Sequence, residues 1–243
     1  MNRTKYAILL LLGLFLTACS GDIDNNRAYF PQSYSDSSTN VSKEYISDDN
    51  CDQIITKEFS LSGTLSICYD YTYKSAKYVS YTLDGELVNS LNISTRPSFY
   101  IEPQIPSQYQ ISTNDYTGSG YDRGHLAPDA SFDYSEGDLK IIYTMANIIP
   151  QDSKVNGTLW AKAEQYARDM AVEYGEVSVL NGVVFDSNPT YIKGKIAISI
   201  GFWKQISNDA KGFKRCFYYD NFITTNNSSD ILDSHERDCS TLK

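Results

Sequence analysis

The apolar positions of this chain fall into blocks of different period. Ala7 to Leu16 is an unbroken apolar run behind a basic start, Arg3 and Lys5, and it runs into Leu16-Thr-Ala-Cys19. It is too short to span a bilayer comfortably, so residues 1–18 have the layout of a secretory signal. Residues 19–50 are rich in Ser, Asn and Asp with little apolar periodicity, and read as a solvated tether. The folded domain is expected over 51–243. Strand signals fill Phe59 to Leu91, where Ser66–Tyr73 and Tyr78–Leu83 are β-rich and Asp84-Gly85 is a turn dipeptide. Residues 97–120 predict a long loop, and the short apolar run Leu139–Met145 predicts a buried strand. A helix is predicted from about Thr158 to Tyr174, followed by strands at about 176–185, 195–204 and 213–220. Strands around one central helix, with no internal repeat or second domain boundary, argue an α+β fold.

That helix carries two stripes. Leu159, Ala163, Tyr166 and Met170 fall on one side and should face the core. Asn156, Trp160, Glu164 and Arg168 recur every four residues and form a neighbouring stripe. Glu164 and Arg168 are then neighbours, both expected at the rim of a cleft. On spacing alone, a surface Glu–Arg pair is the better explanation of them.

Charge and cysteines narrow the function classes. The formal charge is −9, and removing Arg3 and Lys5 with the leader takes it to about −11. This sign disfavours a protein that coats nucleic acid by bulk electrostatics, but not an enzyme using a few arginines and a metal ion on phosphate. Besides Cys19, four cysteines remain: Cys51, Cys68, Cys216 and Cys239. An even number in an exported chain reads as two disulfides. Of three pairings, Cys51–Cys68 with Cys216–Cys239 is favoured because each joins neighbours and staples one end of the domain. No pair has the C-x-x-C spacing of a zinc site.

The chemistry concentrates around Tyr121-Asp-Arg-Gly-His-Leu-Ala-Pro128. His125 is one of two histidines, and a lone imidazole beside charged groups suits general-base work. The other, His235, lies in an acidic tail and is expected at the surface. Asn147-Ile-Ile-Pro-Gln151 and Asn156 follow, then the Glu164 and Arg168 stripe. In combination these segments resemble the DNA/RNA non-specific endonuclease family, the ββα-metal group that includes mitochondrial endonuclease G. The last residues of the leader likewise resemble a bacterial lipobox, which would make Cys19 a lipidated membrane anchor on the outer side of a membrane.

The family resemblance implies a central, mostly antiparallel sheet and a role for each motif residue. His125 is the expected general base and Asn156 the direct ligand of Mg2+, with Mn2+ as a substitute. Glu164 would orient metal-bound water, and Arg168 would neutralise charge developing on phosphate. Asn147 would support the site around the histidine and the metal. Asp122 would influence the metal's water shell, and Arg123 would help hold the site. Arg96 stands where the family has a phosphate-contacting arginine. Asp129 departs from the family pattern and puts a further carboxylate near the site. Tyr69, Tyr71 and Tyr73 have the chemistry to stack on bases, though strand packing explains them better. DNA and RNA are the implied substrates, and a homodimer is compatible with the family. The alternative is a lipoprotein binding module on the same fold without catalysis.

Overall fold

The computed structural model describes residues 51–222 and 230–242. The expected leader, Cys19 and the tether lie outside the described residues. Among the described residues, no helix is long and apolar enough to cross a membrane.

Seven antiparallel strands form the main sheet. β1 (Gln53–Glu58), β2 (Thr64–Asp70) and β3 (Ser75–Asp84) make a meander at one edge. Later come β4 (Asp122–His125) and β5 (Ile148–Gln151), which pair with each other as a separate ribbon. β6 (Glu176–Val184) returns to the sheet beside β3. β7 (Tyr191–Ile192) and β8 (Ile196–Ala197) form a small hairpin outside it. β9 (Gly201–Asn208), β10 (Phe213–Asp220) and β11 (Glu236–Arg237) complete the order β1-β2-β3-β6-β9-β10-β11. The predicted strand at 195–204 is therefore two pieces, and β1 had no counterpart among the expected strands.

Among the described residues three α-helices punctuate this order: α1 (Thr113–Tyr116), α2 (Glu136–Ile142) and α3 (Trp160–Tyr174). α2 corrects the strand expected at 139–145. Ser135 caps it by accepting from the Asp138 N–H, and Glu136 and Asp138 sit in its first turn. Leu139 and Ile142 are spaced for one buried helical face, which a short apolar run does not distinguish from a strand. α3 ends where predicted, at Gly175, whose φ of 86° is left-handed backbone suited to glycine. Its start is wider than predicted, because a π-helical turn over Val155–Leu159 leads into it.

Strand alternation decides what α3 meets. Phe202, Lys204 and Ile206 alternate along β9, and the Trp160 ring lies 5.9 Å from Phe202. Tyr166 of α3 meets Phe217 of β10 at 5.6 Å. Ala163, Tyr166 and Met170 are buried as expected, whereas Leu159 is half-buried. Elsewhere Cys68, Tyr78, Leu180, Trp203 and Cys216 form a second cluster, and both disulfides join it. They are Cys51–Cys68 and Cys216–Cys239, the favoured pairing, with sequence separations of 17 and 23 residues. Each stabilises the fold by about 3 kcal/mol in the loop-entropy account.

The three early tyrosines are packed against the protein. Tyr69 is fully buried, Tyr71 stacks on Tyr109 at 4.1 Å, and Tyr73 stacks on Phe185 at 4.2 Å. His235 is a correction to the surface expectation. It stacks on Tyr219 at 4.0 Å, and its Nε2 lies 2.7 Å from Asp230, so it is half-buried.

Candidate active site

The β4–β5 ribbon sets Asp122 opposite Gln151 and His125 opposite Ile148. Gly124 is required by a close approach: the buried Gln151 side chain occupies the space that any Cβ at 124 would need. Just before β5, fully buried Asn147 fixes the chain leaving His125. Its Nδ2 donates to the Ala127 and Ile142 carbonyls at 3.0 and 2.8 Å, and its Oδ1 accepts from the Ala127 N–H at 2.9 Å. Its backbone carbonyl takes the Leu126 N–H at 3.0 Å. Asn147 thus clamps residues 126–127, directly after His125.

His125 sits half-buried with its ring 5.4 Å from Phe99 and 4.8 Å from Tyr143. Its Nε2 is enclosed and has no hydrogen-bond partner. Burial lowers its pKa to about 4; Asp129 opposes the shift, while Arg123 and Arg96 add to it. The imidazole is therefore neutral near pH 7, the state a proton acceptor requires.

The helix half begins in the π-helical turn. Asn156 donates from Nδ2 to Asp122 Oδ2 at 3.0 Å, and Ser153 Oγ donates to Asp122 Oδ1 at 2.9 Å. Asp122 thereby fixes the Asn156 amide and leaves the Oδ1 oxygen for another partner. One turn into α3, burial raises the pKa of Glu164, while Lys204 and Arg168 favour its charged form. The Trp160 indole N–H also favours that form, though it makes no well-formed hydrogen bond. Arg168 is more deeply placed than the expected cleft rim, with 9% exposure. It donates to Ser131 Oγ at 3.4 Å and Gln165 Oε1 at 2.6 Å rather than pairing directly with Glu164.

The remaining arginines differ in how freely they can act. Arg96 is held by Asp129 at 2.9 Å, by Asp133 at 3.0 Å and by the Ile93 carbonyl. Asp129 also accepts from the Tyr143 hydroxyl at 3.1 Å, so one oxygen of the carboxylate that departs from the family pattern, Oδ2, serves both Arg96 and Tyr143. Arg123 is exposed, with its guanidinium 5.0 Å from the Phe99 ring centre.

Sequence reasoning missed Gln151, Asn181 and Lys204. Gln151 is fully buried with both amide atoms unpartnered. Asn181, in β6, donates to the Leu126 carbonyl at 2.6 Å and accepts from Lys204 Nζ at 2.7 Å. Gln151 stood in the Asn147-Ile-Ile-Pro-Gln151 segment without a role of its own, and the signal of Asn181 and Lys204 was polarity inside strand patterns that are otherwise apolar.

A hydrated divalent cation fits these donors. Asn156 offers an amide oxygen, Glu164 two turns further along the helix offers a carboxylate, and the Gln151 amide adds unused polar capacity in the ribbon. Among the described residues no three His, Cys, Asp or Glu side chains gather as ligands. That donor set suits an oxygen-seeking divalent cation that retains several waters better than a closed zinc site.

A histidine-bearing ribbon facing the start of a helix with an asparagine and a glutamate defines the ββα-metal class of fold. Residues 38–239 match the model of the DNA/RNA non-specific endonuclease family, and the chain belongs to that family. It is similar to mitochondrial nuclease 1 of Schizosaccharomyces pombe, with 30% identity over 125 residues, 51% of this chain and 38% of that protein. Human mitochondrial endonuclease G is 27% identical over 157 residues, 60% of this chain and 53% of its own length. A nuclease of Nostoc sp. is 26% identical over 140 residues, 57% and 50% respectively. The chain thus spans between 38% and 53% of these relatives. The fold also matches the crystal structure of the EndoG/EndoGI complex, with TM-score 0.64 and 19% identity over 75% of this chain and 80% of that one.

Proposed function

We propose that the chain is a metal-dependent endonuclease that hydrolyses phosphodiesters in DNA and RNA with little sequence preference. The observation that carries this is a neutral, half-buried His125 on a ribbon joined to the Asn156 helix through Asp122. The relatives named as nucleases support the same reading.

Asn156 would hold a divalent cation, Mg2+ in the first instance, which when bound supplies Lewis-acid stabilisation of the departing oxygen. His125 takes a proton from the water that attacks phosphorus. Asp122 keeps the Asn156 amide turned for its task, and Glu164 orients water on the leaving-group side. Arg168, Arg123 and the free donors of Arg96 offset negative charge on the phosphate. None of this reads a base edge, which accords with low sequence preference.

The place of action is proposed from the leader, the Cys19 lipobox and the two disulfides: a lipid-anchored enzyme outside the cytoplasm. Plasmid DNA and a structured RNA, incubated with the purified chain and Mg2+ or Mn2+, should both be cut, and EDTA should stop cutting. Metal-independent cleavage, or none, contradicts the proposal.

A further inference from the structure

Lys204 is fully buried on β9, which is costly for an ammonium unless its surroundings use the charge. Its Nζ donates to Asn181 Oδ1 at 2.7 Å and lies 4.3 Å from the centre of the Trp160 ring. Asn181 Nδ2 in turn donates to the Leu126 carbonyl, one residue beyond His125, at 2.6 Å. Trp160 opens α3 one turn before Glu164, and it is itself fully buried. One ammonium therefore touches, through a single intermediary, both the strand half and the helix half of the site.

We propose that Lys204 is a positioning residue for phosphodiester cleavage, a claim that rests on the nuclease reading above: its ammonium ties the His125 strand, through Asn181, to the Glu164 helix, through Trp160. The cation–π contact fixes the first turn of α3, and the Asn181 bridge fixes the carbonyl that follows the base. The ammonium also acts on Glu164 by charge. Glu164 and Arg168 of α3 are the charged groups that face Lys204. Glu164 additionally faces Asp129 and lies near the Tyr219 hydroxyl of β10. Burial and Asp129 raise the Glu164 pKa overall, and Lys204 and Arg168 reduce that rise; burial likewise lowers the Lys204 pKa, with Glu164 opposing the shift.

If Lys204 served packing alone, a methionine of similar length would stabilise the fold or leave it unchanged, and activity would follow. The positioning role predicts a different outcome. Lys204→Met should keep or raise the melting temperature while kcat on plasmid DNA falls about 10–100-fold with KM unchanged. The acid limb of its pH–rate profile should move to higher pH, because Glu164 has lost a cation that favours its charged form. Lys204→Arg should keep the parental acid limb. Parental kcat and acid limb in a folded Lys204→Met protein would overturn the proposal.

Should Lys204→Met not fold, Asn181→Leu removes the bridge alone and should show the same fall in kcat; parental kcat there overturns the proposal. If the parent cuts no nucleic acid, the nuclease reading fails by itself. The positioning claim is then decided by amide hydrogen exchange at residues 125–127 and 160–164, which should quicken in Lys204→Met while the rest of the sheet keeps the parental rates. Unchanged exchange at both segments contradicts it.

Discussion

At the scale of single residues, the site is a set of polar groups held by neighbours that spend their own bonding capacity. Asp122 uses both carboxylate oxygens on Ser153 and Asn156, so on the proposed function its contribution is to aim the Asn156 amide. Asp122→Ala should weaken the apparent affinity for Mg2+ by about 10–100-fold, read from the metal dependence of the rate. Equal metal dependence in parent and variant would remove Asp122 from the account. His125 also leaves a thermodynamic mark. Its folded pKa, about 4, lies below the ordinary histidine value of 6.5. Between these values the unfolded chain binds the proton and the folded chain does not, so stability is intact above pH 6.5 and declines toward pH 4. The loss of melting temperature between pH 7 and pH 5 should therefore be smaller in His125→Gln than in the parent. Identical slopes would show that His125 is not held neutral by the fold.

At the scale of elements, the ββα unit depends on two close fits: Gly124 against Gln151 and Asn147 against residues 126–127. Gly124→Ala pushes into a buried glutamine and should cost about 1–3 kcal/mol by overpacking, measured as a shift in urea midpoint. A midpoint equal to the parent's would mean the ribbon relaxes freely. The helix and its polar stripe were legible in the sequence, since Asn156, Trp160, Glu164 and Arg168 repeat at four residues. The resemblance then gave His125 and Asn147 their places. What stayed hidden depends on which strands lie side by side. Asn181 and Lys204 are 23 residues apart and meet because β6 and β9 are neighbours, an order that local pattern does not contain. α2 was misread for a different reason: seven residues are too few for helical and strand periods to separate, and the capping serine carried the decisive signal.

At the scale of the whole molecule, net charge and site charge have opposite tendencies. A chain at −9 repels a polyanion at distance, and on the proposed function Arg123, with Arg96 and Arg168, attracts its phosphates locally. With about three phosphate contacts, log affinity for duplex DNA should fall against log salt with a slope of about −3 or shallower. A much steeper slope would reveal a basic binding surface outside the site. The two disulfides belong at this scale too, since they fasten the chain near Cys51 and Cys239 to the cluster beside β10. The measurement that bears most directly on the central claim is the cleavage rate of His125→Ala beside the parent, at saturating DNA and Mg2+. General-base catalysis by His125 predicts a fall of about 10²–10⁴-fold with the variant still folded. A folded variant that cuts DNA at the parental rate would contradict it.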